Sequence, residues 1–340
     1  MAKIIELVTN AGQVDVTKGI VEEVLKSVPE LDFFDAGTVK GTVMSTLSRT
    51  SLPTVAFRKI GDPVSSSRSG FAKRTVELAL LSGRVEISEA EAMANGLMSV
   101  EEQEADEAIS VLRAAFKHIA KQIWYGTSAD AKGFDGAVKL VDAALVTLAG
   151  VGTSNANTSV WAVGNGFKTK CGLAFSENSK ILSSTDVEFV EKDILVKDPQ
   201  NNNAVIGVEP GYVGDLTSWA GLHVANKNAL ARLCNVTTTT GLNDDMLRDL
   251  VEAYSIANDG ALPDAIFMSF NARKMLRKSR EFALKLKGGG DGKVFAPIPT
   301  DVDGVKIIAT NAIVDTEETV SSDDDDSSSS SSASASASSH

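Results

Sequence analysis

Residues 99–126 read SVEEQEADEAISVLRAAFKHIAKQIWYG, and the architecture turns on this stretch. Ser99-Val100-Glu101-Glu102 is a capping box: the Ser99 hydroxyl and the Glu102 carboxylate satisfy N–H groups that a helix start leaves free. Ala105, Ile109, Leu112, Phe116, Ile119 and Ile123 then recur at helical spacing as one apolar stripe. No Gly or Pro intervenes before Gly126. The spacing therefore predicts a single helix over 99–124, about 37 Å long at 1.5 Å per residue. Gly126-Thr127-Ser128 and Gly133-Phe134-Asp135-Gly136 predict the loop that ends it.

Upstream, residues 51–83 predict a long β-hairpin. Thr54-Val55-Ala56-Phe57-Arg58 and Lys73-Arg74-Thr75-Val76-Glu77 alternate apolar with polar, as strands do. Between them, Gly61-Asp62-Pro63 to Ser69-Gly70 has the composition of a wide, solvated tip. A lone hairpin is marginal in water, so this one is expected to rest on something else. Residues 1–50 predict an extended arm with one short helix on Ile20, Val21, Val24, Leu25 and Val28, stopped by Pro29.

Downstream, residues 136–240 are rich in strand patterns. Ser159-Val160-Trp161-Ala162-Val163-Gly164, Val187-Glu188-Phe189-Val190 and Leu222-His223-Val224-Ala225 are the clearest. Residues 241–315 return to helices: Asn243 caps one carrying Met246, Leu247, Leu250, Val251 and Tyr254. Ala265-Ile266-Phe267-Met268 predicts a buried strand, Asn271 opens a basic helix closed by Gly288-Gly289-Gly290, and Gly304 to Thr310 predicts a last strand. Residues 316–340 form an acidic Ser/Ala tail containing Asp323-Asp324-Asp325-Asp326, too polar to bury a core.

The chain of 340 residues carries a formal charge of −12, which argues against a dedicated nucleic-acid binder and allows only weak, non-specific contact with DNA. Its opening, Met1-Ala2-Lys3-Ile4-Ile5-Glu6, lacks a signal pattern, and no apolar run nears the length of a membrane span. Asn157-Thr158-Ser159 and Asn235-Val236-Thr237 match the glycosylation pattern by chance on that reading. Enzymes need clustered ionisable groups, and here there are three His (His118, His223, His340) and two Cys (Cys171, Cys234). No metal pattern, cofactor fingerprint or catalytic set emerges. Gly150-Val151-Gly152 is too short to cradle a dinucleotide, and Gly288 to Lys293 lacks the ending of a phosphate loop. The one nucleophile pair to weigh is Cys171 with His223, which would make the protein a Cys-dependent hydrolase.

Charge is patterned more sharply than any motif. The hairpin carries Arg58, Lys59, Arg68, Lys73 and Arg74, whereas residues 85–108 carry acids and no Lys or Arg. Acids at a helix start suit its dipole, which explains part of that run. The remainder motivates the expectation that the basic hairpin of one subunit lies on Glu101, Glu102, Glu104, Asp106 and Glu107 of a neighbour. Opposite patches of this kind fix register more than they strengthen a contact.

This order of elements resembles the Hong Kong 97-type major capsid proteins of tailed bacteriophages. Leu52-Pro53-Thr54-Val55-Ala56-Phe57-Arg58 is similar to the start of that family's extended loop. Ile123-Trp124-Tyr125-Gly126-Thr127 with Gly133-Phe134-Asp135-Gly136 resembles the turn after its spine helix. Asp264 to Arg273, and Gly304-Val305-Lys306-Ile307-Ile308, resemble strands and a helix of its axial domain. One feature departs from the pattern: the strand-rich block precedes the last helices, whereas comparable strands of the type member come late.

The resemblance implies an α+β fold with an N-terminal arm (1–50), an extended loop (51–83), a peripheral domain (84–135) with its spine helix (99–124), a β-rich region (136–240), an axial domain (241–315) and the tail (316–340). It implies a non-enzymatic shell subunit without cofactors, assembling with itself as pentamers and hexamers around a double-stranded DNA genome in the host bacterial cytoplasm, and residing in the virion. A separate scaffolding protein, a portal and a decoration protein are the further partners it implies. Some relatives crosslink a hairpin Lys to a neighbour's Asn; Lys59 and Lys73 are hairpin lysines, and the sequence matches no partner residue to them. An encapsulin-like compartment shell is the alternative of the same fold.

Overall fold

The computed structural model describes residues 28–94, 99–181, 189–198, 204–288 and 295–321. In chain order these form α1 (Pro29–Phe33), β1 (Ala36–Val39), β2 (Val43–Ser51), β3 (Gly70–Glu77), β4 (Ala79–Ser88), α2 (Glu89–Ala94), α3 (Val100–Tyr125), α4 (Ala137–Leu140), β5 (Val146–Leu148), β6 (Thr158–Val163) and β7 (Cys171–Ser176). Then follow β8 (Phe189–Asp198), β9 (Ala204–Val224), β10 (Leu230–Val236), α5 (Asp244–Ala257), β11 (Ala265–Ser269), α6 (Phe270–Gly288), β12 (Asp301–Val302) and β13 (Val305–Thr310). The chain divides into two discontinuous units, Met1–Lys139 with Asn165–Asn226, and Leu140–Gly164 with Lys227–His340.

In the first unit, α3 has both halves of its capping box: Ser99 Oγ accepts from Glu102 N at 3.2 Å, and Ser99 N donates to Glu102 Oε2 at 2.9 Å. Its buried stripe, Leu112, Phe116, Ile119 and Ile123, packs on a sheet of order β1-β7-β9-β4, with β8 also on β9. β9 is the organiser. It pairs with β4 from Ala79↔Ala220 to Ser88↔Gly211, and with β8 from Phe189↔Gly214 to Asp198↔Ala204. Beyond Gly211 the ladder continues as a two-stranded ribbon whose Leu195, Ile206 and Val208 are exposed.

Pro29 does not end a helix among the described residues; it begins α1, where a missing N–H costs nothing. The apolar run at Ile20 to Leu25 lies outside the described residues. Buried Glu30 accepts a hydrogen bond from Trp124 Nε1 at 3.1 Å, which fixes α1 to the end of α3. There the backbone turns at Gly126 (φ 56°), in contact with Gly136, and Gln122 Nε2 donates to the Phe134 carbonyl at 2.8 Å.

The hairpin exists, but its outer strand is not the predicted one. β3 pairs with β2 from Val43↔Glu77 to Ser51↔Gly70, so residues assigned to the arm supply the partner. Thr54 to Arg58 belong to the irregular end, residues 52–69, because Pro53 cannot donate to a ladder.

The second unit is built on a six-stranded sheet of order β12-β13-β11-β6-β10-β5. β6, β10 and β11 are buried along their whole length. One face, with Val160, Ala162, Ile266 and Met268, packs against Leu247, Leu250, Val251 and Tyr254 of α5 and Leu276 of α6. Asn243 caps α5 as predicted, accepting from Met246 N at 2.8 Å. Arg280 of α6 forks onto Asp244 at 2.6 and 2.9 Å, joining the two helices. The Gly289 to Lys293 run, Val187-Glu188, and the chain beyond Ser321 lie outside the described residues.

Candidate assembly surface

The hairpin end, residues 52–69, is exposed from Leu52 to Arg68 and half-buried at Ser69. Its apolar side chains find no cover: Val55 is 90% exposed, Phe57 109% and Ile60 106%. The basic residues lie among them. Arg58 donates to the Asp62 carbonyl, and Lys59 N donates to Asp62 Oδ2 at 3.0 Å, closing a local turn over Gly61. Ser67 Oγ donates to the Thr54 carbonyl at 3.0 Å and holds the two sides of the end together. Arg58, Lys59, Arg68 and Lys73 are exposed. Arg74 is not part of this free surface: it is half-buried and donates to the Val224 carbonyl at 2.9 Å, tying the hairpin base to β9.

The acidic helix start is also on the surface. Glu101, Glu102 and Asp106 are exposed, and Glu104 and Glu107 half-buried. Glu102 is engaged in the cap. Partial burial and then the neighbouring Glu101 raise the Glu104 carboxyl above its ordinary range. Burial, then the charges of Glu89, Glu191, Glu104 and Glu101, raise the Tyr212 hydroxyl. The field is thus wider than the sequence run, since pairing of Glu191 with Tyr212 brings an acid from β8 into it. No local sequence signal marks that addition; it is a product of strand register.

The structure separates the Cys171/His223 pair. On the β7–β9 ladder Cys171 faces Val224, and Gly172 faces His223. Side chains alternate across a sheet, so the thiol and the imidazole point to opposite faces. Burial pushes the Cys171 thiol up to about 12, far from a reactive thiolate. The His223 ring packs edge-on against Phe167 at 5.4 Å, and its Nδ1 has no partner among the described residues. Cys171 and Cys234 form no disulfide, and each is buried in its own unit. Among the described residues no His/Cys/Asp/Glu group could hold a metal, and no helix is long and apolar enough to cross a membrane.

One cluster escaped sequence reading. Arg232, Ser159 and Glu317 are buried together on the sheet face of the second unit opposite its helices. Arg232 Nη2 meets Glu317 Oε2 at 2.9 Å, its Nε donates to Ser159 Oγ at 3.0 Å, and Ser159 Oγ donates to the same carboxylate at 2.5 Å. Asn157 Nδ2 donates to the Glu317 carbonyl, and Asn235 Nδ2 to the Val320 carbonyl. Both residues of the glycosylation patterns are therefore buried, clasping the 317–320 segment to the sheet.

The sequence matches the family model of the major capsid protein GP7 over residues 18–321. No curated protein sequence matches it. A chain in the structure of bacteriophage Epsilon15 has a similar fold, with TM-score 0.59 at 18% identity, over 84% of this chain and 88% of that one. The bacteriophage JBD30 capsid aligns with TM-score 0.45 at 13% identity, over 83% and 89%. The SrpI encapsulin of Synechococcus elongatus aligns with TM-score 0.42 at 8% identity, over 63% and 90%. Helix, hairpin and sheets are those of the Hong Kong 97-like fold. With all of its described residues inside the matched span, the chain belongs to the GP7 family of major capsid proteins.

Proposed function

We propose that this capsid protein closes an icosahedral shell of pentamers and hexamers around a double-stranded DNA phage genome, and that residues 52–69 reach onto the α3 start of a neighbouring subunit. One observation carries the contact: a loop whose large apolar side chains are almost wholly solvated, interleaved with Arg58, Lys59 and Arg68. Burying a side chain such as Phe57 or Ile60 is worth about 1.5–3 kcal/mol each, against an association cost of roughly 4–15 kcal/mol, so several such loops acting in one capsomer favour assembly. Carboxylates Glu101, Glu104, Asp106 and Glu107, widened by Glu89 and Glu191, offer the complementary charge. Peripheral and axial roles for the two units, a separate scaffolding protein, a portal, a decoration protein, weak contact with packaged DNA and assembly in the bacterial cytoplasm complete the proposal.

The test is a charge swap read by electron microscopy of assembly products. Arg58→Glu with Lys59→Glu and Arg68→Glu is expected to leave folded subunits that do not form shells. Pairing those changes with Glu101→Lys, Glu104→Lys and Asp106→Lys is expected to restore shells. Normal shells from the first variant would refute the contact; Arg74 stays untouched because it holds the hairpin base.

A further inference from the structure

Leu195 and Val208 are directly paired on the β8–β9 ribbon, yet they stay 54% and 62% exposed. Paired residues share a sheet face, and every second residue along a strand returns to it. The register therefore tells which face this is. An added Cβ on Gly83 of β4 would meet Val111 of α3 at 3.2 Å, so α3 lies over the Gly83 side of the sheet. Gly83 pairs with Leu216, and Ile87 with Tyr212, with no register shift between them. From Tyr212, two more alternate positions along β9 reach Pro210 and then Val208, and the ladder with β8 is unbroken over this length. The exposed pair thus stands on the same sheet face as α3, about 13 Å along β9 from Tyr212. On the ribbon's other face, Ile194 and Val213 are buried.

The approach to the exposed pair is acidic. Glu191 pairs with Tyr212 and Asp193 with Pro210, so both carboxylates share its face. Glu89, Glu101 and Glu104 act on the same Tyr212 hydroxyl. One surface therefore grades from carboxylates at the α3 start to bare hydrocarbon at Leu195 and Val208. The hairpin end has the matching components, with Arg58, Lys59 and Arg68 beside the solvated Phe57 and Ile60. Residues 52–60 can span at most about 30 Å, so one loop is long enough to cover both parts of that surface. Both surfaces are exposed in one and the same chain, so their contact is between copies. We propose that the hairpin end of a second copy seats Phe57 and Ile60 on Leu195 and Val208 and lays its cations along Glu191 and Asp193, a reading that rests on the contact with the α3 start proposed above and extends it onto the ribbon. Exposed ion pairs are weak singly, so the apolar half supplies the strength of the contact and the charges its register.

The experiment co-assembles two full-length forms. One carries Phe57→Cys or Ile60→Cys, and the other carries Val208→Cys, Lys192→Cys or Asp106→Cys. After mild oxidation the shells are digested, and the linked peptides are identified by mass spectrometry. Links to Val208→Cys are expected, with several-fold fewer to Lys192→Cys, which lies on the opposite face of the ribbon. Links to Asp106→Cys without links to Val208→Cys would overturn the seat on the ribbon and leave the α3 contact standing. Links to neither would overturn both, and equal links to Val208→Cys and Lys192→Cys would overturn the assigned face. A second variant, Leu195→Ser with Val208→Ser, alters two exposed positions. A several-fold loss of shells in electron micrographs at an unchanged unfolding midpoint is expected, whereas normal shells would overturn the proposal.

Discussion

Gly126 takes φ 56° and ψ −132°, a combination closed to side-chain-bearing residues, and a Cβ there would stand 2.2 Å from the Gly136 nitrogen. Gly136 reciprocates at 2.3 Å without the unusual φ. Gly126→Ala combines steric and backbone strain and is expected to cost about 2–5 kcal/mol, more than Gly136→Ala, in urea unfolding. The Arg232–Glu317 pair poses a different problem, since both groups are dehydrated. Glu317→Gln leaves the guanidinium unpaired and is expected to cost about 3–5 kcal/mol, while Arg232→Met with Glu317→Leu regains most of it. Unfolding midpoints of the two variants decide this. His223 has the opposite electrostatic sense: burial and then the charge of Arg74 hold its imidazole below 6.5. The unfolded chain then binds more protons than the folded one as pH falls through 6.5, so stability is full above that pH and drops below it. His223→Gln is expected to flatten the acid side of the stability–pH curve.

At the scale of elements, the long helix shows what local chemistry alone can specify. Cap, stripe and stop of α3 lie within 28 consecutive residues; cap and stop appear in the structure as predicted, and the stripe is buried from Leu112 to Ile123, with Ile109 half-buried and Ala105 exposed. Ser99→Ala is expected to remove about 1 kcal/mol and to speed hydrogen exchange at the Glu102 amide, with the helix C-terminus unchanged. Strands β6, β11 and β13 were legible for a similar reason, as β-rich runs bounded by turn residues. The outer hairpin strand was not, because Thr54 to Arg58 alternate well and Met44 to Arg49 do not; pairing with Lys73 and Arg74 is settled by register, which a single segment does not carry. β9 hid behind Gly207, Pro210, Gly211, Gly214 and Gly221, which read as turns. In the sheet they are tolerated: a Cβ on Gly211 or Gly221 would lie 2.5 or 2.7 Å from the Ile87 carbonyl or the Leu78 side chain, so the neighbours pack where side chains would be. The expected acid–base surfaces were visible as composition. The Ser159–Arg232–Glu317 clasp was not, since its members are separated by 73 to 158 residues.

For the whole molecule, capsid identity came from the order of elements, and the Cys171/His223 nucleophile pair fell away where the ladder turned the two side chains to opposite faces. The chain's path has a further consequence. It leaves the first unit after Lys139, returns at Asn165, and leaves again after Asn226. During synthesis, β6 therefore emerges long before β10 and β11, its neighbours on either side. At about 5–20 residues per second the roughly 70 residues between β6 and β10 take on the order of 3–15 s to translate. For that interval Val160, Trp161, Ala162 and Val163, which end wholly buried, have no edge to pair with, and nascent chains crowded on one messenger carry identical sticky strands. A burst of capsid production is thus also a burst of chaperone demand, and soluble yield is expected to fall in hosts with weakened holdase or chaperonin activity, while the refolded subunit keeps its normal stability.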